Sequence, residues 1–213
     1  ISTAQKEFGS SSILLDGNSD WVDTADSVDF FFDTGDFVID GWFYFNGFGT
    51  QFLFGQTPFQ GYCPVGLQMT SASRLQGLID YNNDNGWDFT GTGATTLSAG
   101  QWYNITVVRN STTIKFYLGG TEELTYTIGS ASLANYVGNF GVGRYSAGSP
   151  SYGNFYVDEF RIQKGTNGGI TGNFTPRTSA YTASADSRTH LKFKTGGTTK
   201  WTIGNDGADS NKF

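Results

Sequence analysis

The chain has 213 residues, which is enough to bury the core of one large domain. It carries 13 Lys and Arg against 19 Asp and Glu, a net charge of −6, so most of its surface would repel the phosphate backbone of a nucleic acid. No apolar run approaches the length that spans a bilayer. We therefore expect neither nucleic-acid binding nor membrane insertion.

The composition predicts an all-β protein. Aromatic residues make up 16% of the chain, with 19 Phe, 11 Tyr and 5 Trp, so we expect a core of rings rather than of aliphatic helix faces. Thirty Gly against 4 Pro and 1 Met favour many tight turns and little helix. The expected architecture is an antiparallel β-sandwich, a jelly roll, with almost no helix.

The N-terminal part of the chain predicts a hairpin, a polar loop and a central strand. Residues 11–23 hold two short apolar runs around an Asp-Gly-Asn turn, which is typical of a hairpin. After a polar loop at 24–35, the run 36–46 has apolar residues on both faces, as a central strand does. We expect residues 50–55 to pair back on it.

The clearest element is a β-hairpin over residues 97–120. Apolar residues recur at every second position in both of its runs, so each strand has one face to bury. Asn and Ser in the connection and a Gly pair after the second run are typical of turns. The same alternation predicts a core that contains Phe43, Phe45, Tyr103, Ile105, Val107, Ile114, Phe116, Leu118, Phe160 and Ile162.

Further strands are predicted on both sides of this hairpin. A Gly-, Thr- and Ser-rich crossing over 166–186 then leads to a last strand at 190–194. In a jelly roll this last strand would lie beside the first one and close the sandwich. The other predicted strands are 65–70, 74–81, 87–90, 123–128, 139–145 and 155–163.

Two motifs resemble the laminin-G-like branch of the concanavalin A-like lectin/glucanase superfamily. One is Gly-Gln-Trp at 100–102, followed by an alternating strand that ends at Arg109 and a hairpin return closed by the Gly pair. The other is Val-Asp-Glu-Phe-Arg-Ile at 157–162, which is similar to the penultimate strand of that family. The resemblance covers about 9–194, and we assign residues 1–195 to such a domain.

Residues 196–213 are predicted to form a short hairpin-like appendage or linker. The stretch Lys-Trp-Thr-Ile-Gly-Asn-Asp-Gly within them resembles hairpin pieces that recur in phage tail and fibre proteins. The chain also begins at Ile1 rather than Met, as a processed protein or a segment of a longer one would. These features favour a domain of the kind found in phage and virus tail, fibre or decoration proteins.

The sequence predicts no catalytic site. Retaining glycoside hydrolysis needs two carboxyls about 5 Å apart. The nearest candidates, Asp158 and Glu159, are adjacent and so point to opposite faces of a strand. Alternation places Asp158 on the face of Phe160 and Ile162, where we expect a buried carboxylate satisfied by loop amides. No spacing brings a nucleophile and a base together, so we predict that the chain is not an enzyme.

The resemblance implies one calcium ion at one end of the sandwich. Asp80, Asn82 and Asp84 have the spacing of the first three ligands of a calcium loop. The expected Gly falls one position late and no Glu stands at the twelfth position, so a hairpin turn at Asn85 and Gly86 is the favoured alternative. Other candidate ligands, which are also ordinary turn residues, are Asp16, Asp26 and Asp29.

Aromatic side chains beside predicted turns are the main candidates for ligand binding. Sugar rings can stack on them while Asn and Asp side chains accept hydrogen bonds from hydroxyls. The alternative is that these rings plug the rim of the core. Loops 80–88 and 144–152 combine rings with small polar residues. Their candidate residues are Tyr81, Asn82, Asp84, Trp87, Tyr145 and Tyr152, and a third loop adds Phe59 and Tyr62.

Two functions from different classes follow. The first is a non-enzymatic structural module of a virion or surface assembly, such as a phage or virus fibre, spike or capsid decoration, that binds a glycan or host cell surface. Its partners would be other structural subunits or further copies of this chain, and its location extracellular or on the virion surface. The second is a carbohydrate-binding lectin domain of a secreted bacterial protein.

Overall fold

The computed structural model describes residues 1–57, 62–145 and 151–181, and the backbone of 191–195 and 198–203. Within them the only helical segment is a 3₁₀ turn at Val28–Phe30, and no helix is long and apolar enough to cross a membrane. The strands are β1 (Ile13–Asp16), β2 (Val22–Thr24), β3 (Phe37–Phe45), β4 (Gln51–Thr57), β5 (Gly66–Met69), β6 (Leu75–Ile79), β7 (Phe89–Thr92), β8 (Trp102–Asn110), β9 (Thr113–Leu118), β10 (Thr121–Thr127), β11 (Asn139–Val142), β12 (Asn154–Lys164), β13 (Leu191–Thr195) and β14 (Thr198–Ile203).

Two six-stranded antiparallel sheets form the fold. The first sheet has the order β1-β12-β3-β8-β9-β10, and the second has the order β2-β11-β4-β5-β6-β7. Side chains from both sheets share one buried cluster, as in the ring contact between Phe43 and Phe54, whose centroids lie 6.3 Å apart. The predicted all-β sandwich is therefore confirmed.

The predicted hairpin is β8 and β9, and it lies inside the first sheet. Val107 pairs with Phe116, and both side chains are fully buried. Ser111 takes a positive φ of 54° in the turn, which closes the hairpin in the left-handed region. All ten predicted core residues belong to the buried cluster or pack against it, with Tyr103, Phe160 and Ile162 only partly buried.

Arg109 ends β8 as a fully buried cation. Its guanidinium donates to the carbonyl oxygens of Ser111 at 3.1 Å, Asp33 at 2.6 Å and Ala131 at 2.8 Å. Burial lowers the pKa of Arg109, while Asp36 and Asp33 act in the opposite sense. The side chain thus connects three loops at one end of the sandwich, which accounts for a charge among apolar neighbours.

Two predicted pairings of consecutive strands are wrong. β1 pairs with β12 in the first sheet while β2 pairs with β11 in the second, so residues 11–23 are not a hairpin. Likewise β4 pairs with β5 and β11 rather than back on β3. Both connections have five residues, at 17–21 and 46–50. That is long enough to carry the chain across the roughly 10 Å between sheets, so each strand buries its apolar face in the shared core.

The predicted position of the last strand is also wrong. β1 lies beside β12 at the edge of its sheet, whereas β13 pairs with β14. Only two residues separate β13 from β14, so this local pairing closes at little entropic cost. The single His, predicted to open this strand, lies outside the described residues, and the division of the chain at residue 195 stays a prediction.

A bulge in β12 corrects the predicted faces of that strand. Asp158 pairs with Trp42 and Arg161 pairs with Asp40, so β12 advances by three residues where β3 advances by two. Glu159 takes a positive φ of 50° at the irregularity. Asp158 and Arg161 therefore share the outer face, and Asp158 does not share the core face of Phe160 as alternation had predicted.

The predicted crossing after β12 lies on the outer face of the first sheet. We call residues 166–181 the covering segment. Its Ile170 and Phe174 pack on a small outer cluster that includes Val38 and Tyr117. Phe174 N also donates to Gly120 O at 2.9 Å. The covering segment shields one half of this sheet face and forms the roof of a cavity described below.

Candidate functional site

The loop at 80–88 begins with a buried acid. Asp80 is fully buried, and its Oδ1 accepts from Asn83 N at 3.0 Å. Asn82 and Asp84 are exposed, and the Asn82 amide donates to Asp84 Oδ2 at 3.1 Å. Tyr81 is half-buried and packs against the main core. The turn therefore presents Asn82 and Asp84 to solvent.

The two loops predicted to bind ligand converge on the second sheet. Trp87 from the first loop and Tyr145 from the second pack against one small cluster, which Phe52, Cys63 and Leu78 form outside the main core. The ring centroids of Phe52 and Tyr145 lie 5.2 Å apart. Trp87 and Tyr145, which are 58 positions apart in the sequence, thus pack on the same cluster.

Tyr62 extends this group, because its ring meets the Trp87 ring edge-on at 5.0 Å. We call Tyr62, Trp87 and Tyr145 the aromatic surface. All three side chains are half-buried, with one part packed and another in contact with solvent. Burial raises the pKa of Tyr145 to about 12, so its phenol is neutral near pH 7. The surface is apolar and uncharged, with hydroxyls at its margin.

Cys63 lies beneath the aromatic surface and is fully buried. Burial, with the Asp80 carboxylate as a second cause, raises the pKa of this thiol far above its usual range. A thiolate is the reactive form of Cys, so this residue is a packing group rather than a nucleophile.

Tyr152, the remaining predicted ligand residue, lies in a different group of contacts. Its ring stacks on Trp21 at a centroid distance of 6.3 Å, and the Arg144 guanidinium lies 4.3 Å from the Trp21 centroid. Tyr152 also lines a rim cavity of about 290 Å³ together with Asp16 and Asn154. The structure therefore does not unite all six predicted residues in one site.

The geometry of the predicted calcium loop does not converge on a metal. Asp80 turns into the protein whereas Asn82 and Asp84 face solvent and bond to each other. Buried beside Asp80 is Tyr136, whose pKa is raised by burial and then by that carboxylate, so its hydroxyl is neutral. Among the residues that the structure describes, no three His, Cys, Asp or Glu side chains lie together as a ligand group.

The alternative calcium ligands each have another role. Asp16 Oδ1 accepts from Asn18 N at 2.8 Å, as a turn residue does. Asp29 accepts from the Ser27 hydroxyl at 3.0 Å at the start of the 3₁₀ turn. Asp26 accepts from Gln56 Nε2 at 2.9 Å. Among the described residues these carboxylates do not gather around one point, and calcium binding stays a prediction.

Asp158 was expected to be a buried carboxylate satisfied by loop amides; the amides are confirmed, but the side chain is only half-buried. Its Oδ2 accepts from Glu7 N at 3.0 Å and from Phe8 N at 3.1 Å, while Oδ1 accepts from Glu159 N at 2.9 Å. Glu159 in turn accepts from Tyr181 N. Asp158 and Glu159 thus both hold backbone amides in place.

A polar cluster on the outer face of the first sheet was not predicted from the sequence. Asp40 is only 6% exposed, and its carboxylate accepts from Arg161 Nε at 3.1 Å and Nη2 at 2.7 Å. The Tyr181 hydroxyl donates to the same carboxylate at 2.6 Å. Asp40 is an acid within an otherwise apolar strand. A buried acid requires a partner, so its presence in the sequence could have pointed to this cluster. The partner could not be named from the sequence, because the pairing of β3 with β12 sets Arg161 opposite Asp40.

The same outer face carries a second group of rings beyond this cluster. Tyr44 lies between Trp102 and Tyr156, at centroid distances of 5.6 and 5.8 Å, and Trp42 meets Phe8 edge-on at 5.7 Å. All of these side chains are half-buried. The apolar pattern on both faces of β3 was correct, but its outward rings are covered in part by the N-terminal residues rather than by a third layer.

Comparison with known proteins identifies the family. The laminin G 3 family model, described as the concanavalin A-like lectin/glucanases superfamily, matches residues 16–167, which is more than half of the chain. No curated protein sequence matches this chain.

Several solved structures share the fold. The binding domain of Paraclostridial Mosquitocidal Protein 1 superposes with a TM-score of 0.58 at 16% identity, over 73% of this chain and 41% of that one. A protein from Bacteroides ovatus ATCC 8483 described as carbohydrate-binding gives 0.57 at 12% identity, over 95% and 54%. Domain 4 of a GH43 extracellular arabinanase from Geobacillus stearothermophilus, in complex with arabinotriose, gives 0.51 at 18% identity, over 71% and 69%. The chain thus spans about half of the first two, and identities this low show the fold alone.

Proposed function

Because the chain belongs to the concanavalin A-like lectin/glucanase superfamily, we propose that it is a non-catalytic glycan-binding module. One structural neighbour is described as carbohydrate-binding and another holds arabinotriose, which supports a sugar as the ligand class. Fold alone does not assign a ligand, so the proposal depends on the site. The observation that carries it is the convergence of two distant loops on the aromatic surface.

The aromatic surface has the chemistry that a neutral sugar needs. The C–H face of a pyranose is apolar and stacks on the half-exposed faces of rings such as Trp87 and Tyr145, whose other parts are held by Phe52 and Cys63. Rings fixed in this way lose little conformational freedom on binding. The exposed Asn82 and Asp84 of the same loop supply amide and carboxylate groups for sugar hydroxyls.

The acids and the thiol of the chain support a non-catalytic role. Asp158 accepts three backbone amides, and Glu159 holds the amide of Tyr181. Oxygens that are occupied by backbone amides in this way are not placed to exchange a proton with a bound sugar. The neutral, buried Cys63 is unsuited to nucleophilic attack.

The larger context that we propose is a surface assembly, such as a phage or virus fibre, spike or capsid decoration. The resemblance of the stretch at 200–207 to phage tail hairpin pieces supports it. Its partners would be neighbouring structural subunits or copies of this chain, at an extracellular or virion surface. A lectin domain of a secreted bacterial protein is the second candidate, favoured by the bacterial carbohydrate-associated neighbours. Sequencing the gene around this segment distinguishes them, because tail-type repeats beside it favour the assembly.

Substitution in the aromatic surface tests the binding proposal. We expect Trp87→Ala to weaken binding on a glycan array by about tenfold or more, because a central aromatic anchor is lost. Trp102→Ala is the matched control, since Trp102 is a half-buried Trp on the opposite sheet. Each variant is also melted thermally. If binding falls only as far as folded protein is lost, Trp87 is a packing group and the site lies elsewhere.

A further inference from the structure

A cavity of about 420 Å³ lies between the outer face of the first sheet and the covering segment. Its size falls within the range of about 300–1,000 Å³ that small-ligand pockets occupy. None of its lining residues belongs to the aromatic surface. The side chains that matter here are Asp40, Asn104, Arg161, Ile170, Phe174 and Arg177.

The Arg177 guanidinium lines this cavity without a carboxylate partner among the described residues. Arg161 is paired with Asp40 through a bidentate salt bridge at 2.7 Å, so these two charges balance. Arg177 donates instead to the carbonyl oxygens of Ser179 and Ala180, and no carboxylate among the described residues pairs with it. Carbonyl oxygens do not cancel its charge. Among the described residues that line the cavity, Arg177 is thus the cation without a carboxylate partner, and the Glu159 carboxylate, which accepts from the Tyr181 amide, lies outside the lining.

The charged groups are held in place without a ligand. The guanidinium carbons of Arg161 and Arg177 lie 4.1 and 3.5 Å from the centroid of the Tyr181 ring. The hydroxyl of Tyr181 donates to Asp40 at 2.6 Å and its backbone amide donates to Glu159. Tyr181 therefore fixes both arginines, and a ligand would meet a preorganised cation rather than a mobile side chain.

The remaining wall combines a donor with apolar surface. Asn104 is 4% exposed, and its Oδ1 accepts from the Thr106 hydroxyl at 3.0 Å. That bond orients the amide so that its nitrogen, a donor, is turned away from Thr106. Ile170 and Phe174 supply the apolar side. A guanidinium, an amide donor and an apolar wall match the carboxylate, the hydroxyls and the C–H face of one acidic sugar ring.

We propose that this cavity binds the carboxylate-bearing ring of an acidic saccharide, with the Arg177 guanidinium as the group that recognises the carboxylate. The proposal rests on the proposed glycan binding for its ligand class but on different residues for its site. It assigns two separate specificities to the domain: neutral rings at the aromatic surface and uronic acids beneath the covering segment.

Isothermal titration calorimetry tests the proposal with trisaccharides of galacturonic, glucuronic and mannuronic acid, their methyl esters, and acetate. We expect at least one acid to bind about tenfold or more tightly than its ester, because esterification removes a charge-assisted hydrogen bond. The affinity should fall as salt is added. Equal affinity for acid and ester, or no binding of any acid, overturns the proposal without a mutation. If acetate binds as tightly as the acid, the cavity recognises a carboxylate without the sugar ring. That result would also overturn the proposal.

Variants locate the binding. Arg177→Gln should abolish the preference for acid over ester, and Arg177→Lys, which keeps the charge but not the planar fork, should retain part of it. Arg74→Gln is the matched control, because Arg74 is exposed in the turn between β5 and β6. Trp87→Ala should leave uronic acid binding intact, so failure of the aromatic surface and failure of the cavity are distinguishable. If an Arg177→Gln variant that melts like the wild type still prefers the acid to its ester, the acid binds elsewhere and the assignment is refuted.

Discussion

The contact between Gly77 and Phe116 joins the two sheets and gives a sharp test of the core. Phe116 is fully buried in β9, and Gly77 faces it from β6 of the other sheet. A Cβ on residue 77 would lie 2.7–2.9 Å from three atoms at the tip of the Phe116 ring. Real Cβ atoms do not approach that closely, and a fully buried ring has little room to withdraw.

We therefore expect Gly77→Ala to destabilise the wild type by about 1–3 kcal/mol, the usual cost of overpacking a core. Phe116→Leu removes the three ring atoms that a Cβ on residue 77 would meet. In that background the added methyl fills part of the space that the ring leaves, so Gly77→Ala should be neutral or stabilising by about 1 kcal/mol. The double-mutant cycle should give a coupling free energy on the order of 1–3 kcal/mol.

Urea unfolding of the wild type, the two single variants and the double variant measures this coupling. The free energies follow from the unfolding midpoints, provided that the slope m stays constant. The neighbouring residue offers a control, because the Gln76 side chain donates to the Thr92 hydroxyl on the exposed side of the same strand. Gln76→Ala should therefore show no coupling to Phe116→Leu. Additive effects of Gly77→Ala and Phe116→Leu would mean that the sheets do not pack in the register described, and the core assignment would be wrong.

Three further predictions concern Asp158, Arg109 and Cys63. Asp158→Ala should cost about 1–3 kcal/mol and speed hydrogen exchange at the amides of Glu7 and Phe8, which lose their acceptor; unchanged exchange there would contradict it. Arg109→Lys should destabilise by about 1–3 kcal/mol in urea, because an ammonium cannot reach three carbonyls in the geometry of a guanidinium; a stability equal to the wild type would refute the clamp. Cys63 should resist a disulfide reagent at mildly alkaline pH and react after unfolding, since burial raises the pKa of its thiol; rapid reaction of the folded protein would disprove this.

Strand positions were predictable because each long run alternates with period 2 and the burial of one face enforces that pattern. Val107 and Phe116 are examples, since both follow from alternation alone and are fully buried. Pairing between strands was less predictable. β1 and β2 are neighbours in sequence but lie in different sheets, and a five-residue connection is compatible with either arrangement.

The candidate sites were predictable only in part. Trp87 and Tyr145 were recognised as rings beside turns, but their convergence depends on long-range packing that one sequence does not encode locally. The cluster of Asp40 and Arg161 was missed for a different reason. Alternation alone places both side chains on outer faces, but it does not tell that β12 pairs with β3 in a register that sets Arg161 opposite Asp40.

The indole N–H signals in a ¹⁵N spectrum distinguish two faces on which a sugar could bind, because Trp87 lies on the aromatic surface whereas Trp102 and Trp42 lie on the outer face of the first sheet. The protein is titrated with the neutral glycan that binds it most strongly on a glycan array. We expect a saturable shift of the Trp87 indole signal, with the Trp102 and Trp42 signals unchanged. A shift of Trp102 or Trp42 with Trp87 unchanged would place the sugar on the outer face of the first sheet, and no shift with any neutral glycan would contradict neutral-sugar binding at the aromatic surface.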